Sequence, residues 1–331
     1  MNYIGSKNKL TDFIVNSIES NVGTLNGKIY AEIFGGTGIV ARKIKKRVKK
    51  VIANDIEYYS YVLLRNYIGN HKELEIDSFI SHLNNLKGID GFIYNNYCKN
   101  YNSERNYFSE ENGKKIDSIR LEIEKLRTKN HITEDVYFNL LASLIEAADK
   151  VANTASVYGA YLKKIKNSAL KPLELKLAFF EINENSHEVY MEDSNNLIKK
   201  IEGDVLYLDP PYNQRQYGAN YHLLNTIALY DNFIPIGKTG MREYNRSKYC
   251  MKKDVINEFD DLIKNANFEY IFLSYNNEGL LTLEKIKEIM SKYGKYDVDL
   301  SANYQRFKAD KDSNRNYLAE TTTEYLHILK K

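Results

Sequence analysis

The sequence contains no tryptophan, only two cysteines and no long apolar run. Cys98 and Cys250 stand alone, without the Cys-x-x-Cys or Cys/His spacing of a zinc site, and they do not form a disulfide framework. No stretch approaches the roughly 18 apolar residues of a membrane span. The first residues also lack the apolar core of a signal peptide. These features favour a cytoplasmic protein with reduced thiols, no metal site and no membrane segment.

The composition is that of an ordinary globular protein. The 331 residues are 43% hydrophobic and 27% charged, enough for one large domain or for a core domain with a substantial insertion. The net charge of +3 is too small to indicate nucleic-acid binding by itself. Lysine-rich clusters at 43–50 and 163–171 are more suggestive, although such runs are more often solvated helix faces than phosphate contacts.

The first sixty residues follow the order helix, strand, glycine turn, helix, strand. Apolar periodicity predicts a helix at 7–21, a strand at 28–34, a basic amphipathic helix at about 38–48 and a second strand at 51–55. A strand–helix–strand unit of this kind implies a parallel sheet and therefore an α/β fold.

The periodicity changes from about residue 57 to residue 180. Helices are predicted there at 72–87, 113–128, 133–150 and 154–166, separated by exposed loops rich in Asn, Tyr and Ser. Strand-like segments return at 187–192, 204–208, 268–274, 296–300 and 323–329. We therefore expect one α/β domain built from residues 1–60 and 181–331, interrupted by a mostly helical insertion at 61–180.

A glycine turn follows the first predicted strand. The segment Phe34-Gly35-Gly36-Thr37-Gly38 allows a ligand to approach the backbone closely, and Asp55 ends the next strand 19 residues after Gly36. A carboxylate at that position can hold the ribose hydroxyls of an adenosine. The same glycines, with Ala41, also fit the loose G-x-G-x-x-A pattern of nicotinamide enzymes. Taken alone, the turn is compatible with either cofactor or with a purely structural role.

The segment Asp209-Pro210-Pro211-Tyr212 follows the apolar run 204–208. A carboxylate at a strand end accepts a hydrogen bond from an amino group, and two prolines stiffen a turn whose carbonyls can face a ligand. Tyr212 offers a flat face on which a planar base can stack. A proline-rich turn that merely ends a buried strand is the alternative. A dehydrogenase has no need of this segment.

Together and in this order, the glycine turn, Asp55 and the Asp-Pro-Pro-Tyr segment resemble the S-adenosylmethionine-dependent adenine-N6 DNA methyltransferases. Within this family the chain is similar to the group that includes the Dam methylases and many modification enzymes of restriction systems. That group opens with a segment like Tyr3-Ile-Gly-Ser-Lys7, which this chain has at its start. In that group the cofactor motif comes first, a recognition insertion follows and the catalytic motif comes late. The 154 positions between Asp55 and Asp209 suit this order.

The resemblance implies a role for each matching residue. Tyr3 and Lys7 would hold the methionine end of S-adenosylmethionine, and Asp55 would bind its ribose. Asp193 matches a carboxylate near the cofactor adenine, although a helix N-cap is an alternative role for it. The remaining implied site residues are the cofactor loop Phe34, Gly35, Gly36, Thr37 and Gly38, and the catalytic set Asp209, Pro210, Pro211 and Tyr212. In that set the Asp209 carboxylate and the Pro210 carbonyl would accept the two hydrogens of the target amine.

Contacts with DNA are predicted in two places. The polar and aromatic segment after the catalytic motif predicts that Arg215 binds phosphate and that Tyr217 or Tyr221 stacks on unpaired bases. In the second lysine-rich cluster, Lys163 and Lys164 are the candidates for contact with DNA. A late basic segment at 304–315 is a further candidate. For each of these side chains a solvated surface position is the alternative.

The resulting hypothesis is a Rossmann-like methyltransferase that modifies the N6 atom of a flipped-out adenine in a short duplex DNA site. Its expected role is the modification enzyme of a restriction-modification system, with a cognate endonuclease acting separately. Cytosine C5 methylation is disfavoured because neither cysteine has the setting of its nucleophile. An RNA adenine methyltransferase and an inactive DNA-binding protein of the same fold are the alternatives.

Overall fold

A computed structural model describes residues 5–305 and 321–331, and for 300–305 and 321–322 it describes the backbone alone. Its centre is a seven-stranded sheet with the strand order β3-β2-β1-β4-β5-β7-β6. The strands are β1 (Ile29–Glu32), β2 (Lys50–Asn54), β3 (Glu188–Tyr190), β4 (Glu202–Leu208), β5 (Asn267–Asn276), β6 (Lys295–Gln305) and β7 (Thr321–Lys330). The first five strands in this list pair in parallel, whereas β7 runs antiparallel to both β5 and β6. The prediction of an α/β fold with a Rossmann-like sheet is confirmed.

Helices cover both faces of the sheet. They are α1 (Thr11–Val22), α2 (Ile39–Ile44), α3 (Tyr58–Leu64), α4 (Asp77–Asn85), α5 (Phe92–Tyr97), α6 (Glu110–Thr128), α7 (Glu134–Val151), α8 (Ser194–Leu197), α9 (Tyr217–Asn220), α10 (His222–Leu229), α11 (Val255–Asn265) and α12 (Leu283–Ser291). Two of the longer ones begin at side-chain caps, because Ser109 accepts the Asn112 N–H and Thr133 accepts the Val136 N–H. Strand β4 lies at the centre of the sheet and buries all of Val205–Leu208 between the two layers.

Between β2 and β3 the chain forms α3–α7, as the helical periodicity of the insertion predicts. The central helix α7 is buried along most of its length, and its apolar side chains belong to the same core as those of β1, β2 and β4. Leu140, Leu144 and Ile145 are completely shielded from solvent. The insertion is therefore packed as part of the domain rather than as a separate globule.

Two predictions for this region are wrong. Residues 154–166 form turns and bends instead of a helix, because the side chain of Asn153 binds their backbone: its Nδ2 donates to the Leu162 carbonyl at 2.9 Å and its Oδ1 accepts the Lys166 N–H at 3.0 Å. These bonds stabilise a loop conformation in place of helical hydrogen bonds. Residues 92–97, which overlap a predicted exposed loop, form α5 and bury Ile93 and Tyr97.

Cys98 and Cys250 are both buried free thiols. Within 5–305 and 321–331, no helix is long and apolar enough to cross a membrane. The same residues contain no group of three or more His, Cys, Asp or Glu side chains arranged to hold a metal ion.

Replacing Leu144 with alanine tests whether the insertion and the sheet share one core. Leu144→Ala should lower the free energy of unfolding of the whole domain by about 2–5 kcal/mol, because it deletes a completely buried side chain. Leu121→Ala, on the exposed side of α6 at 42% exposure, is the matched control and should cost less than about 1 kcal/mol. Urea unfolding followed by circular dichroism measures both values, and equal losses would contradict a shared core.

Candidate active site

A cavity lies at the edge of the sheet that the carboxyl ends of β1, β2 and β4 form. This is the place where open α/β sheets bind ligands, since the loops that follow neighbouring strands diverge there. The cavity is lined by residues 5–7, 32–37, 39–40, 55–57, 193–194 and 246–249, together with Asp209, Pro211, Gln216, Tyr217 and Glu258. Both sequence motifs, at 34–38 and 209–212, therefore contribute to one site.

The glycine turn is held against β2 and α3. The Gly35 N–H donates to the Asn54 carbonyl at 2.8 Å, and Gly38 adopts a left-handed conformation with φ of 70°. A Cβ atom at Gly35 or Gly38 would lie 2.9 or 2.8 Å from a methyl group of Leu64. Gly36, with a φ of 52°, and Gly38 therefore need glycine for their backbone angles, and Gly35 and Gly38 need it for their close packing.

Asp55 lies directly after β2 and faces this turn. Its Oδ2 accepts the Gly36 N–H at 2.7 Å, and its Oδ1 accepts the Glu57 N–H at 2.9 Å. Burial raises the pKa of Asp55 to about 6, although these backbone N–H groups lower it. The carboxylate thus fixes the turn and lines the cavity at the same time.

Asp209 lies one residue beyond β4 and forms an ion pair with Lys7. The Lys7 Nζ is 2.7 Å from the Asp209 Oδ1 and 3.1 Å from the Glu324 Oε1 of β7. Burial raises the pKa of Asp209 to about 6, against the lowering effect of Lys7. Burial also disfavours the ammonium form of Lys7, but the two carboxylates hold the pKa of that lysine well above its ordinary value. The cluster consists of one ammonium group between two carboxyl groups in a nearly dry environment.

Aromatic side chains surround this cluster. The Lys7 Nζ lies 5.8 Å from the centre of the Tyr212 ring, which packs edge-on against Tyr275. A Cβ atom at Gly5 would lie 3.0 Å from the hydroxyl of Tyr217 and 3.5 Å from that of Tyr212, so the two phenols converge beside this glycine. Their convergence provides flat surfaces next to the Asp209 carboxylate.

The opposite part of the cavity contains Phe34 and Asp193. The Phe34 ring contacts Tyr249 edge-on at a centroid distance of 5.0 Å. Asp193 caps α8, accepting the N–H groups of Asn195 and Asn196 at 3.0 and 3.1 Å, and it also lines the cavity. The two roles that the sequence suggested for Asp193 are therefore compatible with each other.

Sequence reasoning missed two buried carboxyl groups in the cavity wall. Glu32, the last residue of β1, accepts the Ala41 N–H at 2.7 Å, and burial raises its pKa to about 8. Glu57 accepts a hydrogen bond from the Asn225 side chain at 2.6 Å, and burial raises its pKa to about 7. A charged residue inside an apolar strand was the available signal for Glu32. Glu57 lies only two residues after Asp55, so no separate signal in the sequence pointed to its carboxyl group.

The residues predicted to contact DNA are found in different environments. Arg215, Lys163 and Lys164 are exposed. Tyr217 lines the cavity, whereas Tyr221 is completely buried and packs against the rings of Tyr59, Tyr158 and Tyr217. The hypothesis that Tyr221 stacks on a base does not fit this arrangement, because its ring belongs to the core. Tyr3 and positions 306–315 lie outside the described residues.

Comparison with known proteins agrees with this geometry. A family model of the D12 class N6 adenine-specific DNA methyltransferases matches residues 3–291. The chain belongs to this family. As an adenine-specific DNA methyltransferase, the protein acts on DNA and takes the methyl group from S-adenosylmethionine.

The curated relatives are bacterial and viral enzymes. The chain is 59% identical to the Type II methyltransferase M.NlaIII of Neisseria lactamica, over 100% of this chain and 99% of that protein. It is 38% identical to the Type II methyltransferase M.CviAII of Paramecium bursaria Chlorella virus 1, over 93% and 92% of the two chains. Identity to the Type II methyltransferase M.FokI of Planomicrobium okeanokoites is 42%, over 89% of this chain and 47% of that longer protein.

The site fits the cofactor. Residues 34–37 of the glycine turn line the cavity, with no side chains at Gly35 and Gly36. Asp55 lines the same cavity and binds the Gly36 N–H, and Phe34 adds an aromatic ring to the wall. An adenosine needs these three features: close backbone approach, an acceptor for its ribose hydroxyls and an apolar surface for its base.

Replacing Gly38 with alanine should weaken S-adenosylmethionine binding about tenfold, equivalent to ~1.4 kcal/mol. The added methyl group must displace Leu64, and the turn must abandon its φ of 70°. Gly27→Ala is the matched control, because Gly27 has a φ of 83° but open space around it. Isothermal titration calorimetry with the cofactor separates the two cases. Unchanged affinity in the Gly38 variant would show that the turn does not form part of the cofactor site.

Proposed function

We propose that the protein is a site-specific methyltransferase that transfers a methyl group to N6 of a flipped-out adenine in a short duplex DNA site. The observation that carries this proposal is the position of Asp209. Its carboxylate is oriented by Lys7 at the end of the central strand and opens into the same cavity as the glycine turn. A target amine and a methyl donor bound in that cavity would be neighbours.

We assign the cofactor half of the cavity to the first motif. Residues 34–38 would surround S-adenosylmethionine, and Asp55 would accept hydrogen bonds from its ribose. We assign Asp193 a contact with the cofactor adenine, and this is supported by its position in the cavity lining, where it also caps α8. Lys7 is committed to Asp209 and Glu324, so we assign it the positioning of Asp209 in addition to any contact with the methionine end.

Asp209 and the Pro210 carbonyl would hold the target amine. Adenine N6 is a poor nucleophile because its lone pair is delocalised into the ring. Two acceptors on its hydrogens favour a pyramidal nitrogen with the lone pair directed out of the ring plane. S-adenosylmethionine supplies an already activated methyl group, so the protein contributes in-line positioning in a dry pocket. Tyr212, with Tyr217 beside it, offers the stacking surface for the base.

The adenine must leave the DNA helix before it reaches Asp209, at a cost of a few kcal/mol. Stacking of the flipped base on an aromatic side chain offsets about 1–3 kcal/mol of the cost of flipping. We assign phosphate contacts to the exposed side chains of Arg215, Lys163 and Lys164. Base reading is assigned to the insertion at 61–180, whose loops and helices adjoin the catalytic part of the domain.

We further propose that the enzyme is the modification component of a restriction-modification system, with a separate cognate endonuclease as its functional partner. The names of the relatives support this role, since they include Type II methyltransferases and modification methylases. The family and these relatives favour DNA over RNA as the substrate.

The direct test uses S-adenosylmethionine that carries a deuterated methyl group. The enzyme is incubated with unmethylated genomic DNA and, separately, with total RNA, and the nucleosides are analysed by mass spectrometry. Labelled N6-methyladenine is expected from DNA and should be absent with Asp209→Ala. Asp204→Ala, on the same strand but paired with Lys28 outside the cavity, is the control and should remain active. Label found only in RNA would overturn the proposal.

Asp55→Asn should raise the dissociation constant for S-adenosylmethionine about tenfold or more, because hydrogen bonds to a charged acceptor contribute roughly 1.5–3 kcal/mol. Asp193→Asn should change it less than about threefold, since asparagine keeps both the helix cap and an acceptor oxygen. Calorimetric titration with thermal unfolding as a folding control measures both. A larger loss in the Asp193 variant would reverse the two assignments.

A further inference from the structure

Residues 231–242 form a hairpin, named here the apolar hairpin, that carries exposed isoleucines. Ile234 is 86% exposed and Ile236 is 67% exposed, with Pro235 between them. The turn is closed by two backbone hydrogen bonds between Ile236 and Met241, at 2.9 and 2.8 Å. Neither the cofactor site nor the target site described above uses these side chains.

The apolar hairpin is fixed to the insertion. The Tyr97 hydroxyl donates to the Gly240 carbonyl at 2.7 Å, and the Arg105 guanidinium donates to the Gly237 carbonyl at 3.0 Å. At its base, Arg242 forms two hydrogen bonds with Asp231, at 3.0 and 2.6 Å. Hydrogen bonds therefore fix the base of the apolar hairpin, and the exposed isoleucines extend from that base into solvent.

The base of the apolar hairpin lies at the rim of the cavity. From Arg242 the chain runs directly into residues 246–249, which form one cavity wall. Tyr244 packs against Gly218, the neighbour of Tyr217, since a Cβ atom at Gly218 would lie 2.8 Å from the Tyr244 Cβ. Ser247 exchanges two hydrogen bonds with the side chain of Gln216, at 2.8 and 3.1 Å. The apolar hairpin and the segment after the catalytic motif thus share one support.

The surroundings suit a nucleic-acid backbone. Lys238 on the apolar hairpin and Arg246 at the rim are exposed. Lys248 at the rim is paired with Glu258 at 2.7 Å, and Asp231 is paired with Arg242. Asn106, next to Arg105, donates to the carbonyls of Leu162 and Lys163, so the lysines at 163 and 164 adjoin the same surface. Exposed Glu104 and Glu243 are the opposing charges nearby in the sequence. Cations around an apolar tip match a duplex, which presents phosphates outside and stacked bases inside.

We propose that the apolar hairpin is a wedge that enters the DNA duplex at the target site, with Ile234 and Ile236 filling the space left by the departing adenine. This inference rests on the proposed function. Removal of a base from the stack exposes apolar surfaces of its neighbours, and inserted apolar side chains cover them. The wedge makes the flipped state more stable without touching the transferred methyl group.

The test compares Ile234→Ser/Ile236→Ser with the wild type on two duplexes. The target sequence is first determined by sequencing that locates N6-methyladenine in intact genomic DNA treated with the enzyme. One duplex is fully paired, and the other carries a mismatch opposite the target adenine, which lowers the cost of flipping. The double variant should lose about tenfold or more in kcat/KM on the paired duplex and recover to within about threefold of wild type on the mismatched one. Ile256→Ser, a surface isoleucine of α11 at 41% exposure, should match wild type on both.

A second readout observes flipping itself. With 2-aminopurine in place of the target adenine, binding of the wild type should increase its fluorescence, and the double variant should increase it much less at saturating concentration. Undiminished activity, or equal losses on paired and mismatched duplexes, would overturn the wedge while leaving the methyltransferase assignment intact. A change of oligomeric state in the double variant would also overturn it, because the isoleucines would then join two copies. A wild type that does not methylate DNA would instead contradict the proposed function.

Discussion

The buried ion pair between Lys7 and Asp209 connects the start of the chain to the end of the central strand, and the arrangement of the site depends on it. A carboxylate at that depth is costly to ionise, and the pKa of Asp209 is raised accordingly. Lys7 opposes this shift from 2.7 Å, while Glu324 binds the same ammonium group from β7. The cluster therefore supplies the orientation and the charge balance of the proposed acceptor for the target amine.

The second constraint is the position of β1, β2 and β4 as neighbours in the sheet. Because these strands are parallel, the glycine turn, Asp55 and Asp209 emerge at the same edge, although the last two are 154 positions apart in the sequence. The insertion between β2 and β3 leaves the sheet order undisturbed, since its helices join the core on one face. The proposed cofactor pocket, amine acceptor and DNA-facing surface are thus built from segments that are distant in the sequence.

The local parts of this site could be predicted from the sequence, and the long-range parts could not. The glycine turn, Asp55 and the Asp-Pro-Pro-Tyr segment are short patterns whose chemistry follows from their own residues. The ion pair between Lys7 and Asp209 joins residues 202 positions apart, and no pattern of apolar or polar residues in the sequence predicts it. Tyr221, which the sequence offered as an alternative to Tyr217 for stacking on a base, lies in the core because an aromatic residue in a polar segment does not reveal whether its ring is buried. The predicted helix at 154–166 failed because the competing hydrogen bonds come from Asn153, just outside that segment.

The arrangement of the site depends most directly on the ionisation of Asp209, which carbon NMR of selectively labelled aspartate carboxyl groups can follow. In the wild type, Asp209 should titrate at a pKa of about 6, above the ordinary value for aspartate. Lys7→Met should raise this pKa, because an attractive charge is lost, and Glu324→Gln should lower it, because a repulsive charge is lost. Opposite shifts in the two variants would support the cluster as described. A wild-type pKa in the ordinary aspartate range, or one that neither substitution changes, would contradict it.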